Sequence, residues 1–302
     1  VLGQIKYHAL PAAFGLTEVP RCTASGPALC RAVLGVGDAV TDAVVRLPPG
    51  GLGRLGLRAG SCACVDEAGE RALLAELGPG PPPRGVPGGS AANVVKGLAR
   101  LGRRARLLSA LGDDAAGPRY REALGALGVD VGAVAEVAGA RSPICYCLVA
   151  PELAGERTMR TFLGNCGAAK PAPAPGSLRD VALVHLEGYA FYSEGFAEAV
   201  AAQARREGAR VSLDAGSAEL VLGPAGGAMA ALLRAGAVDV VFANEEEARA
   251  LARRLEPEPG GAGAAAGGGG GGGGDAASSI AIADTVEALG RHVETAVVTA
   301  GA

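Results

Sequence analysis

The chain has 302 residues, 49% hydrophobic and 20% charged, with a formal net charge of −3. That length and apolar content can bury one large core, or one core with a small subdomain. A slightly negative chain with 3% aromatic residues offers no basis for a nucleic-acid surface, and its apolar runs are too short and charge-broken to span a membrane, so neither partner is expected.

Residues 1–32 carry Lys6, Arg21 and Arg31 against one acid, Glu18, and begin on Val1. They read as a disordered leader, acid-poor like an organelle transit peptide but low in Arg and Ser. Seven cysteines is an odd number for a closed disulfide framework. Cys62/Cys64 and Cys145/Cys147 form two C-x-C pairs, each expected on one face of a strand. The three histidines are scattered, so buried reduced thiols are expected rather than a zinc site. That places the protein in a reducing, intracellular compartment, cytoplasm or plastid.

In chain order, Val33–Gly37 reads as a short buried strand and Val40–Leu47 as an extended segment holding Asp42 among apolar residues. Such an acid is either a turn aspartate at a strand end or a group that meets ligand hydroxyls, because an unpaired buried carboxylate is costly. Gly51-x-Gly53-x-x-Gly56 matches a dinucleotide fingerprint in letters only: it follows Pro48-Pro49-Gly50 rather than a strand. The only lysines are Lys6, Lys96 and Lys170, and none completes a P-loop. Residues 66–77 predict a helix.

From residue 88 helices and strands alternate: helix 90–101, strand 104–111, helix 115–127 capped by Asp113 or Asp114, strand 181–187, helix 194–207, strand 209–214, helix 226–235, strand 238–243, helix 245–255, helix 281–292 and strand 294–299. This predicts a parallel sheet covered on both faces. The strands 144–150 and 157–163 interrupt the alternation as a hairpin. Residues 257–279, with an unbroken glycine run at 267–274, predict a disordered surface insertion.

At residues 88–102 two glycines open an amphipathic helix. Ser90 is expected as its N-cap, leaving first-turn N–H groups free for a polar ligand. Asn93 reaches the same space, and Val94, Val95, Leu98 and Leu101 fall on one face that would pack the helix down. An ordinary loop-to-helix junction would have the same spacing.

Gly-Gly-Ser-Ala-Ala-Asn-Val-Val-Lys-Gly-Leu-Ala-Arg-Leu-Gly resembles the first signature of the ribokinase/PfkB family of carbohydrate and nucleoside kinases. Five further stretches agree in order: residues 34–47, 111–117, 155–165, 212–221 and 238–251. The resemblance is closest to plant-type, adenosine-kinase-like sugar kinases. It implies an α/β ribokinase-like fold, with a mostly parallel sheet flanked by helices on both faces. A small antiparallel β lid from about 43–65 and 141–165 covers the substrate, and the kinase domain spans 33–302.

The resemblance further implies ATP and Mg²⁺ as cofactors and transfer of the γ-phosphoryl to a hydroxymethyl group of a sugar or nucleoside. Asp42, Gly88, Gly89 and Asn93 match substrate-binding positions, and Arg160 is the lid arginine expected to touch substrate or phosphate; Arg157 is expected as a surface charge. Asp214, Asn244, Glu247, Thr299 and Gly301 fall on nucleotide-side positions, with Glu247 holding Mg²⁺ through water. Acids in a helix's first turn are also good dipole partners, which accounts for two of the three glutamates Glu245, Glu246 and Glu247 without any ligand. A homodimer through the lid is expected.

The family's general base lies in a D-T-x-G-A-G-D signature. No Gly-Ala-Gly-Asp occurs in the 302 residues, which close on Val-Val-Thr-Ala-Gly-Ala. The expectation is therefore a C-terminally incomplete kinase, inactive as it stands. The competing reading is a non-catalytic sugar- or nucleoside-binding protein.

Overall fold

The computed structural model describes residues 31–78, 85–151, 157–255 and 281–300. Most of the expected leader, the Gly-rich insertion and Gly301 lie outside the described residues.

The chain runs through β1 (Ala32–Val36), β2 (Thr41–Arg46), the one-turn helix α1 (Gly51–Arg54), β3 (Cys62–Val65), α2 (Glu67–Leu77) and β4 (Gly85–Pro87). It continues through α3 (Ser90–Arg100), β5 (Ala105–Gly112), α4 (Ala116–Gly125), β6 (Val129–Asp130), β7 (Val134–Val137) and the hairpin β8 (Ile144–Val149) and β9 (Thr158–Phe162). Then follow β10 (Val181–Glu187), α5 (Phe196–Arg206), β11 (Arg210–Asp214), α6 (Ala218–Leu222), α7 (Ala225–Arg234), β12 (Val240–Asn244), α8 (Glu245–Leu255), α9 (Ile282–Gly290) and β13 (Thr295–Thr299). Ala32 already belongs to β1, inside the stretch read as leader.

The larger sheet runs β13-β12-β11-β10-β1-β5-β6, with β7 also on β5, and each of these pairings is parallel. Its central strands are mostly apolar, as coverage on both faces favours, with polar residues mostly toward their ends. Leu34, Val36, Val184, Leu186, Val211, Leu213 and Val241 sit in one core with α5, α7 and α8. On the other side α3 buries Ala91, Ala92 and Val95 beside Leu107 and Leu111. Close approach of α3 depends on Gly35, where a Cβ would stand 2.7 Å from Val95 Cγ1. The expected anchor Leu101 is 72% exposed; it lies past the end of α3, where the helix no longer faces the sheet.

The smaller sheet has the order β3-β9-β8-β2-β4. It is mixed, not antiparallel: β2–β4 and β8–β9 are antiparallel, but β2–β8 and β3–β9 are parallel. Only hairpin or returning strands must reverse direction. The long connections between β2 and β8, and between β3 and β9, permit parallel pairing. On its outer side, Glu70 from α2 accepts the Tyr146 hydroxyl at 2.7 Å and pairs with Arg141 at 2.6 Å. β4, β6, β7 and α6 escape sequence reading because two to five residues are too few to show a period.

Candidate functional site

The start of α3 is built differently from the expectation. Gly89, at φ +90°, is the cap residue, and Ser90 is already helical and makes no capping bond. The cap comes from a distant element. Glu187, the last residue of β10, accepts the Ala91 N–H at 2.6 Å with Oε2 and the Asp38 N–H at 2.5 Å with Oε1. A carboxylate is favoured there because the helix N-terminus carries partial positive charge. Room for it exists because Gly37 has no side chain: a Cβ would lie 2.0 Å from Glu187 Cδ. Burial pushes the Glu187 carboxyl up to about 8, the Asp38 carboxylate adding to the effect and the two N–H bonds opposing it.

Asp38 in turn pairs with buried Lys170, Nζ to Oδ1 2.5 Å, while its Oδ2 is buried with no partner among the described residues. Asp38, Glu187 and Lys170 form a charged group beneath the α3 N-terminus that sequence reading missed. The only signal was an acid closing an apolar strand, His185-Leu186-Glu187.

Above this group lies a cavity of about 310 Å³, lined by Asp38, Asp42, Gly89, Ser90, Asn93 and Glu187 from the body. The lid contributes Cys62, Cys64, Cys145, Cys147, Arg157, Met159 and Thr161, with Tyr189 and Tyr192 at one side. Asp42, Gly89 and Asn93 are thus brought together. Gly88 completes the set from behind: a Cβ there would meet Asp42 Oδ2 at 2.2 Å, so only glycine lets the carboxylate lie against the backbone. The Gly88 carbonyl is held by the Tyr120 hydroxyl at 2.7 Å. Burial raises the Asp42 pKa, with nearby Lys96 and Arg157 pulling it down. The array can offer carboxylate acceptors and an amide to several hydroxyls at once.

The thiols depart from expectation. Cys145, Cys147 and Cys166 are buried and reduced, but Cys62 and Cys64 are exposed. Strand alternation explains it: both C-x-C pairs face inward, and β3 is the sheet's edge.

Arg160 does not line the cavity. Its guanidinium donates to the Met159 carbonyl at 2.7 Å and to the Ser61 carbonyl and hydroxyl at 3.2 and 3.1 Å. In the β8–β9 register Cys145 faces Thr161 and Cys147 faces Met159, whereas Arg160 pairs with Tyr146 and so points to the outer face. Arg157, of the inward parity, lines the cavity instead.

A second, larger groove of about 570 Å³ gathers Asp214, Asn244, Glu247 and Thr299 with His185, Ser212, Phe242, Val94 and Leu98. These acids and Asn244 sit at or just past the carboxyl ends of β11 and β12, where parallel sheets collect ligands. Asn244 and Glu247 are locked together: Glu247 accepts the Asn244 N–H at 2.8 Å and its side-chain amide at 2.7 Å, and the Glu247 N–H donates to Asn244 Oδ1 at 3.0 Å. This is a reciprocal helix cap.

Burial raises the Glu247 pKa, the Asn244 N–H lowers it, and Asp214 raises it further. Glu247 and Asp214 line the groove with hard oxygen donors only, which fits a largely hydrated Mg²⁺. Asp214 also accepts the Gly216 N–H at 2.9 Å. His185 is held by Ser212 at 3.0 Å, and burial lowers its pKa.

An all-parallel sheet with polar groups past its carboxyl ends, beside a small mixed β sheet, defines an α/β protein of ribokinase-like fold. The chain belongs to the pfkB family of carbohydrate kinases, whose profile matches residues 63–302. It is similar in fold to adenosine kinase from Sinorhizobium meliloti (24% identity, TM-score 0.70, covering 90% of this chain and 75% of that one). A probable sugar kinase from Rhizobium etli CFN 42 is comparable (22%, TM-score 0.69, 90% and 74%). So is Anopheles gambiae adenosine kinase in complex with P1,P4-di(adenosine-5) tetraphosphate (19%, TM-score 0.62, 74% and 67%). Membership of a kinase family implies phosphotransferase chemistry with ATP. Among the described residues no helix is long and apolar enough to cross a membrane.

Proposed function

We propose that the lid cavity holds a small polyhydroxylated acceptor, a furanose sugar or a nucleoside, and that the second groove holds part of ATP. Asp42, Asn93 and the Gly88-Gly89 backbone orient the acceptor hydroxyls, with Asp38 Oδ2 as a further acceptor atom. Arg157 faces the incoming phosphate, taking the role expected of Arg160. Asp214, Asn244, Glu247 and Thr299 form the nucleotide side, and Gly301 is kept in that set from sequence alone. Mg²⁺, held through water at Glu247, would neutralise charge on the phosphate oxygens.

The observation that carries this reading is the meeting of Asp42 and Asn93 in one cavity at a helix start. Tyr189 and Tyr192, ring centroids 6.1 Å apart, supply an aromatic wall that a base or sugar face could use. The protein would act in an intracellular compartment, cytoplasm or plastid. Exposed Val44 and Val86 on lid strands favour a homodimer through the lid, which light scattering after gel filtration would read as twice the chain mass.

Titration calorimetry against pentoses, ketohexoses and nucleosides tests the assignment. One class should bind, and Asp42→Asn should weaken it about 10–100-fold, the worth of a hydrogen bond to a charged group. Equal binding by the variant, or no binding by any panel member, would overturn it. A second reading is binding without catalysis; the 302 residues contain no Gly-Ala-Gly-Asp. We expect this polypeptide to bind acceptor and transfer no phosphoryl from ATP; turnover in a coupled ADP assay would exclude that expectation.

A further inference from the structure

Inside the lid, one sheet face carries two ladder rows. Asp42, Cys145, Thr161 and Cys64 form one; Val44, Cys147, Met159 and Cys62 form the other. Cys145 and Cys147 are two residues apart on β8, so both thiols point the same way. Asp42 lies directly across on β2. Both thiols are buried, their sulfurs are 3.8 Å apart, and one ligand atom from each of the three residues lies within 4.8 Å of the others.

Two thiolates on a tetrahedral Zn²⁺, with Zn–S near 2.3 Å, stand about 3.8 Å apart. The separation already present is the one such an ion needs, on a rigid strand and with a carboxylate beside it. We propose that Cys145, Cys147 and Asp42 form a Zn²⁺ site in the lid, with a cavity water as fourth ligand. Both thiols release their protons on binding. The three ligands carry three negative charges against the ion's two positive ones, and Lys96 and Arg157, which act electrostatically on Asp42, offset the remainder.

The donor set is soft, unlike the all-oxygen set at Glu247 and Asp214, so Mg²⁺ does not compete for it. One consequence rests on the function proposed above: a metal that takes the Asp42 carboxylate removes it from the acceptor hydroxyls, making Zn²⁺ an inhibitor competitive with acceptor.

The test uses the whole chain, reduced and chelator-treated, titrated with Co²⁺ as a spectroscopic probe. Thiolate-to-cobalt charge-transfer bands should appear at one equivalent in the wild type and in Cys62→Ser/Cys64→Ser, and vanish in Cys145→Ser/Cys147→Ser. Asp42→Asn should weaken the metal at least about tenfold, the lower end of what losing an outer-shell partner costs. X-ray absorption of the Zn²⁺-loaded Cys62→Ser/Cys64→Ser protein should give two sulfur neighbours near 2.3 Å, a reading that needs no change at the site. Bands that are missing in the wild type, or that survive in Cys145→Ser/Cys147→Ser, overturn the site. Bands that behave as expected while acceptor still binds the metal-loaded protein uphold the site and overturn the Asp42–acceptor assignment.

Discussion

Glu187 Oε2 accepts the Ala91 N–H at 2.6 Å, so the helix start beneath the cavity is capped by a carboxylate from 96 residues away in the chain. The same carboxylate holds the backbone of Asp38. One acid therefore sets the relative position of the strand exit carrying Asp38 and Asp42 and the helix carrying Asn93.

This cap has a pH signature. The Glu187 carboxyl is raised from 4.5 to about 8 in the folded protein, so the folded state holds its proton more tightly than the unfolded chain does. Its contribution is fully present below about pH 4.5, declines as pH rises toward 8, and is then constant. In urea unfolding across that range, the wild type should lose stability relative to Glu187→Gln as pH rises. The glutamine variant, close in shape to the protonated acid and without a proton to lose, is the reference whose stability should not follow this titration. Parallel pH profiles for the two proteins would refute the assignment.

Two glycines on the same helix should respond with opposite signs. At Gly89 a Cβ would stand 2.3 Å from the Asp38 carbonyl oxygen and φ is +90°, so Gly89→Ala should cost about 1–3 kcal/mol and abolish acceptor binding. At Gly97 nothing lies within 4 Å, so Gly97→Ala should stabilise by about 0.5–1 kcal/mol and leave binding unchanged. Chemical denaturation and calorimetry read both.

The two lid arginines should also separate. Arg157→Ala removes a cation from the cavity wall and should lower affinity for a phosphorylated acceptor about 10-fold, the loss of one charge-assisted bond. Arg160→Ala removes bonds to Ser61 and Met159 on the outer face and should change lid stability, not binding. An Arg160 effect on affinity larger than that of Arg157 would contradict the strand parity.

Asp114 contributes to the acid limb, as Asp180 and Glu207, also lowered, do. Burial raises its pKa, but hydrogen bonds from Ser142, Gly117 and Ala116 outweigh that, and the net shift is downward from 3.8. Its stabilisation is present above about pH 3.8 and lost as pH falls through the lower folded value. Asp114→Asn should flatten this acid dependence while costing about 1–3 kcal/mol at neutral pH. An unchanged slope below pH 4 in acid titration followed by circular dichroism would show the carboxylate is not responsible.

The βα alternation from residue 88 onward was legible because coverage on both faces leaves mostly apolar strands between amphipathic helices, a pattern local enough to read. The Gly-Gly start of α3 was legible for the same reason. The mixed lid was not, since strand direction depends on long connections rather than on the strand residues. Nor was the choice between Arg157 and Arg160, which rests on the register of β9 against β8. Glu187 and Asp38 stayed hidden because each finds its partners far along the chain, and an acid ending a strand looks the same whether exposed or capping a distant helix.

Residue order alone determined the alternating elements, the family and the two glycines at the helix start, because periodicity and backbone freedom are properties of neighbours in the chain. Only the tertiary structure decided which charges meet. It placed Lys170 on Asp38, Glu187 on α3, the two thiols beside Asp42, and Arg160 away from the cavity. Electrostatic pairing and strand register act through space, over separations that no local pattern encodes.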